Sequence, residues 1–152
     1  MPVFSLASRL AGAALAAALL AAPARAGTLY DDLGGRAGLQ RIADGMLQRA
    51  LADPRIKEKF KDADIERLQG LLLLDFCKLT GGPCRYPGRD MTTAHADLDI
   101  APRQFNAIVE DLQDSMEAEG IPFRTQNRLL ALLAPMHRDI VAPPGAKPET
   151  TP

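Results

Sequence analysis

GGPCRYPGRDMTTAHADL, Gly81 to Leu98, delivers one of the chain's two histidines on a short helical turn behind a glycine pair. Gly81 and Gly82 can take positive φ and end the apolar segment before them. Pro83 and Pro87 then forbid its resumption and hold the linker extended. His95 therefore starts afresh on a turn of its own, which is how a chain presents a single imidazole to a buried metal or cofactor.

On either side of this stretch the periodicity is helical and strand signals are scarce. Phe105, Ile108, Val109, Leu112 and Met116 recur at i, i+3, i+4, i+7 and i+11, between Pro102 as a start and Gly120 as a stop. Leu129, Leu130, Leu132, Leu133, Met136 and Ile140 mark a further helix, which Pro135 should kink by removing a backbone donor. Ahead of the glycine pair, Leu39, Ile42, Ala43, Met46, Leu47 and Ala50 define a helix that ends near Asp53-Pro54. Between the two lies Ile65 to Leu79, where Leu68 and the unbroken Leu71 to Leu74 make a segment apolar around most of its circumference, a pattern that implies deep burial. The fold class is all-α.

Composition bounds the rest. Met1 to Ala26 has a lone early positive charge at Arg9, an apolar run from Leu10 to Ala22 and an Ala24-Arg25-Ala26 ending, and it reads as a cleaved secretory signal. The run is too short for a membrane span, which needs about 20 residues, and no second stretch of that length follows. A soluble periplasmic or secreted form is expected, with no membrane partner after cleavage. Losing Arg9 and Arg25 takes the 18 basic residues to 16 against 19 acidic ones, a net charge of −3, so the basic footprint of a nucleic-acid binder is absent. Residues 27–142 suit one domain with a modest core, and 143–152, rich in proline and polar residues, reads as a disordered tail.

These pieces, in this order, resemble the truncated haemoglobins, the small bacterial globins, and their first group most. LYDDLGG from Leu29, LADPRIKEKF ending in Phe60, TGGPCRYPGRDMTTAHADLDI, FNAIVEDLQ and LLALLAP carry the resemblance over Leu29 to Val141. It implies a two-over-two helical sandwich enclosing haem b, with Gly34-Gly35 and Gly81-Gly82 as the motifs that shorten its helices. His95 matches the proximal ligand to the haem iron. That role asks for a neutral imidazole whose second nitrogen donates to a carbonyl or carboxylate, an acceptor the sequence does not identify. Without the resemblance, a lone histidine is more often a structural residue, and His137 reads as a cation at a helix C-terminus.

The resemblance also implies that Phe60 packs on the haem face, that Tyr86 and Met91 are proximal contacts, and that Arg67, Arg85 and Arg89 are within reach of the propionates. A guanidinium fork suits a carboxylate, although solvated surface is the ordinary place for any one arginine. On the distal side the chain departs from the better-known members. Leu47 stands where they usually carry tyrosine, and Leu68, Leu71 and Leu72 stand where a glutamine or histidine is common. Bound dioxygen carries partial negative charge that polar donors stabilise, so weak oxygen retention is expected, with carbon monoxide held comparatively well. Gln69, one position from Leu68, would supply a donor if the alignment slipped by a residue or that helix were rotated.

Cys77 and Cys84 bracket the glycine pair and belong to no C-x-x-C-H motif, so covalent c-type haem is not indicated. An oxidising compartment favours a disulfide between them, and two buried thiols are the alternative. Catalysis finds little support. Ser115 has no evident base partner, and Asp62/Asp64 and Asp97/Asp99 fall at helix ends, where capping is the ordinary explanation. The first function is therefore reversible binding of a small diatomic gas. The second is a haem enzyme converting nitric oxide or another nitrogen oxide with electrons from an outside donor protein. A haem-free helical interaction module is the third, and His95 with Phe60 argues against it.

Overall fold

The computed structural model describes residues 27–141; the segment read as a signal and the tail from Pro143 lie outside them. In chain order the helices are α1 (Leu29–Asp32), α2 (Gly35–Ala52), α3 (Ile65–Leu79), α4 (Met91–His95), α5 (Pro102–Ala118), α6 (Phe123–Leu133) and α7 (His137–Ile140), with 3-10 turns at Lys57–Phe60 and Ala134–Met136. The described residues contain no strand, only an isolated parallel bridge between Ile100 and Val141.

The local chemistry sets these boundaries. Thr28 caps α1 by accepting from the Asp31 amide at 3.2 Å, while the Asp31 carboxylate accepts from the Thr28 amide at 3.1 Å. α2 stops at Ala52 because Pro54 pushes Asp53 into the extended region. Asp64 caps α3, accepting from the Arg67 amide at 3.0 Å. Among the paired aspartates, capping accounts for Asp64 alone: Asp97 and Asp99 follow α4, and Asp99 takes the left-handed conformation at φ 45°. Pro102 opens α5 and Gly120 closes it, as the sequence implies. Pro135 does more than kink the last helix. It ends α6 at Leu133, runs through the second 3-10 turn and lets α7 restart at His137, which places that histidine at a helix beginning rather than at a C-terminus.

α2 is the spine. Leu39, Ile42, Ala43 and Met46 form its buried stripe, packed with Leu73, Phe76 and Cys77 of α3, Leu112 and Met116 of α5 and Leu129 of α6. Each fully buried leucine or methionine contributes about 1.5–3 kcal/mol, so this stripe carries much of the fold. α2 and α5 pack closely: the Ser115 hydroxyl donates to the Ile42 carbonyl at 2.8 Å, and a Cβ on Gly45 would fall 2.4 Å from that hydroxyl. A second cluster, Ala50, Ile56 and Ala107, takes in the half-buried Phe60, and Ile108 touches both clusters.

The deep burial expected for Ile65 to Leu79 is only partly found. Leu73, Phe76 and Cys77 are buried, but Leu68, Leu71, Leu72 and Leu74 are half-buried. The reason is geometric: α2 is the one described element packed closely against α3, so the remaining apolar circumference of α3 is not sealed by protein.

The glycine pair divides its work. Gly81 has φ 87° and turns the chain, whereas Gly82 is needed for close approach, because a Cβ there would lie 2.5 Å from the Tyr30 ring and 2.6 Å from the Cys77 sulfur. The structure joins Cys77 to Cys84 in a disulfide with Cα atoms 5.7 Å apart. It ties the end of α3 to the loop leading to α4. Closing this seven-residue separation stabilises by about 2–3 kcal/mol in the chain-entropy model, so Cys77→Ala/Cys84→Ala should lower stability by that amount in denaturant unfolding, against no change for the wild type compared with itself in mild oxidant.

Candidate functional site

His95 is the last residue of the five-residue helix α4. Asp90 starts that helix: its carboxylate accepts from the Thr93 amide at 2.9 Å and from the Thr93 hydroxyl at 2.8 Å. So short a helix has little stability of its own and is held by its caps and its packing. The packing comes from α7 below it. α7 is anchored in turn by His137, whose ring meets Phe105 of α5 edge-on at 4.8 Å between centroids. The histidine that began as a candidate cation is thus a prop for the floor beneath His95.

The imidazole of His95 is half-buried, and its Nδ1 lies 2.8 Å from the Met91 carbonyl oxygen. A carbonyl can only accept, so Nδ1 carries a proton, and in the neutral ring Nε2 then keeps its lone pair. That is the tautomer a metal ligand requires. Met91 thereby enters the site through its backbone oxygen, a role invisible to side-chain reasoning although the i−4 spacing contains it.

The other expected residues fall into separate groups. Phe60 closes the first 3-10 turn and packs on the Ala50, Ile56 and Ala107 cluster. Leu72 packs against the main core, while Leu68 and Leu71 stay half-buried on α3. Leu47 is 1% exposed and belongs to neither core cluster. It lines a cleft of about 600 Å³ between α2, α3 and α5 with Ile65, Gln69 and Ser115, a cleft that Leu68, Leu71 and Leu72 do not line. Gln69 therefore shares a wall with Leu47 where its neighbours on α3 do not.

The loop between the glycine pair and α4 folds over itself. The Tyr86 hydroxyl donates to the Arg89 carbonyl at 3.1 Å, its ring lies 6.0 Å from the Lys78 ammonium, and burial raises its pKa, with Asp75 and Asp90 adding to the effect. Burial likewise raises the carboxyl of Asp75. Arg67, Arg85 and Arg89 are exposed, and none forms an ion pair among the described residues.

The hydrogen bond from the Thr93 amide, then that from its hydroxyl, holds the Asp90 carboxyl below the usual aspartate range. A lowered carboxyl stabilises α4 above the unfolded value and ceases to do so as pH falls through the folded one. The Thr93 amide proton should therefore titrate in an NMR series with a midpoint below the ordinary aspartate value of about 3.9. A midpoint at or above it would contradict the cap.

A short turn carrying one half-buried imidazole, together with half-buried apolar side chains on α3 and at Phe60, is the pattern of a small helical protein that holds a flat, metal-bearing cofactor. Residues 28–142 match the model of the bacterial-like globins, and the chain belongs to that family. A group 1 truncated hemoglobin of Synechocystis is 32% identical over 120 residues, covering 75% of this chain and 97% of that one. The truncated hemoglobin of Tetrahymena pyriformis, in its Fe(III) form, superposes with a TM-score of 0.74 at 26% identity, over 77% of this chain and all of that one. The 2/2 hemoglobin of Synechococcus, at 24% identity and a TM-score of 0.72 over 76% and 98% of the two chains, shares the fold. The all-α expectation and the two-over-two architecture are both met.

Globins hold haem, and haem is the cofactor of this chain. The residues present fit it. Nε2 of His95 has the lone pair that iron needs, and Phe60, Leu68, Leu71, Leu72 and Met91 are apolar side chains that protein leaves half-covered, as contacts to a flat hydrophobic group would be. Sequence reasoning did not find Lys59, whose ammonium donates to the carbonyls of Leu98 at 2.6 Å and Asp99 at 3.0 Å. No signal in the sequence announces it, because the two ends of the contact are about forty residues apart.

Proposed function

We propose that this globin binds small diatomic gases reversibly on haem b ligated by His95, with an apolar distal side that retains oxygen weakly. The observation that carries the reading is the 2.8 Å bond from Nδ1 of His95 to the Met91 carbonyl, which fixes the ring and leaves Nε2 to the iron. Haem, when bound, would supply an iron centre able to take up a small diatomic gas. Every other contribution is the chain's own. The Asp90 cap and α7 hold α4 in place, the Phe60 turn offers an aromatic face, and Leu68, Leu71 and Leu72 on α3, with Leu47 on α2, are apolar side chains that donate no hydrogen bond. A ligand that draws negative charge, such as dioxygen, gains nothing from such a wall, whereas carbon monoxide depends on donors much less.

Arg67, Arg85 and Arg89, exposed and unpaired among the described residues, are available to the haem propionates. Stopped-flow kinetics test the gas reading: oxygen should leave the ferrous protein quickly and carbon monoxide slowly. A slow oxygen off-rate would contradict it. The secretory reading of Met1 to Ala26 places the protein in the periplasm or outside the cell, and fractionation of the source cell with the mature N-terminus sequenced near Gly27 tests that part independently.

A further inference from the structure

The residues after His95 are tied down from several sides. The Leu98 amide donates to the His95 carbonyl at 3.1 Å, Asp99 takes φ 45°, and Ile100 forms the bridge to Val141. A left-handed conformation at a residue other than glycine is sparsely populated and persists where its surroundings fix it. Here the surroundings include a charge from a distant element. Lys59, on the 3-10 turn Lys57–Phe60, spans to this segment and donates to the carbonyls of both Leu98 and Asp99, at 2.6 and 3.0 Å. Both oxygens belong to a turn, outside any helix ladder, and so have room for an external donor.

The bonds connect end to end. Lys59 holds the Leu98 carbonyl, the Leu98 amide holds the His95 carbonyl, and the His95 ring holds the Met91 carbonyl. Next to Lys59 in the same turn stands Phe60, packed on Ala50, Ile56 and Ala107. One turn therefore carries the aromatic proposed to lie on the haem face and, beside it, the ammonium that reaches the segment following His95. We propose that Lys59 is a positioning residue: it fixes the distance and tilt between the Phe60 wall and the His95 imidazole, and so the strain on the iron–histidine bond. This rests on the reading of His95 as the iron ligand.

The variants are Lys59→Met, which keeps the stem and removes the donors, Lys59→Arg, which restores donors, and Lys57→Met, an exposed lysine of the same turn whose side chain makes no hydrogen bond among the described residues. Two quantities are read on the ferrous holoprotein without any gas: the iron–histidine stretching band by resonance Raman, and the rate of haem transfer to an excess of apomyoglobin. In Lys59→Met the band should shift or broaden and haem should leave roughly tenfold faster, as expected for two charge-assisted hydrogen bonds lost from a partly exposed site. Lys59→Arg should return both towards the wild type, and Lys57→Met should change neither. If Lys59→Met keeps the wild-type band, or if Lys57→Met moves it equally, Lys59 does not position the ligand. A wild-type protein with haem but no iron–histidine band would instead overturn the His95 reading, which separates the two failures.

Discussion

Replacing His95 by glycine should increase the rate of haem loss by at least about 100-fold, because even an outer hydrogen-bond partner of a ligand is worth 10–100-fold and the ligand itself is worth more. The ferrous protein should lose its iron–histidine band, and added imidazole should restore it by occupying the space the side chain leaves. Restoration matters because His95→Gly also removes packing from a helix of only five residues. A variant that had merely unfolded α4 would not respond to imidazole. His137→Ala is the comparison: it removes the edge-on contact with Phe105 and weakens the floor of α4, so it should speed haem loss modestly and leave the band in place. If His137→Ala abolished the band while His95→Gly kept it, the roles of the two histidines would be exchanged.

Leu47→Tyr should slow oxygen dissociation roughly 10- to 100-fold, the worth of one hydrogen bond to a partner that carries charge. The carbon monoxide off-rate should change far less, since that ligand takes up little negative charge. Leu47 is fully buried on α2 and outside both hydrophobic clusters, so the larger ring costs about 1–3 kcal/mol of overpacking without breaking the stripe that supports the fold. Leu47→Ile, apolar and nearly equal in volume, is the control and should leave the oxygen rate unchanged. The same experiment reports on Gln69, which lines the cleft with Leu47. If Gln69 already donated to the ligand, the wild type would hold oxygen firmly and Gln69→Leu would loosen it.

The fold was legible where one physical cause dominated. Pro102 and Gly120 bracket α5, and the Pro54 and Pro135 breaks fall where a missing backbone donor or a forbidden φ requires them. What the sequence could not give is which apolar face meets protein. The periodicity of α3 implied deep burial for Leu68, Leu71 and Leu72, which are half-buried, because apolar composition does not say which face of a helix another helix covers. Only the packing of α3 on α2 shows that face. In the same way Gly82 looked like a second left-handed residue, when its purpose is to let Tyr30 and the Cys77 sulfur approach.

At the site, the separate helical turn that ends in His95 was legible from the glycines and prolines before it, and the partner of its ring was not, because that partner is a backbone oxygen. His137 could not be placed either, since its surroundings depend on Pro135 restarting the chain as α7 against Phe105. Lys59 was invisible for the same reason at longer range: a lysine in a turn is ordinarily solvated, and only folding brings it to the carbonyls of Leu98 and Asp99.

The ultraviolet and visible spectrum of the purified protein, taken ferric, ferrous and ferrous under carbon monoxide, for the wild type and His95→Ala, decides whether the protein binds gas on a haem held by His95. A Soret band that shifts on reduction and again with carbon monoxide, and that is lost or altered in the variant, is the expected result and establishes gas binding at a His95-ligated haem. A Soret series unchanged in His95→Ala would contradict the ligand, and no Soret band after reconstitution with haem would contradict the function.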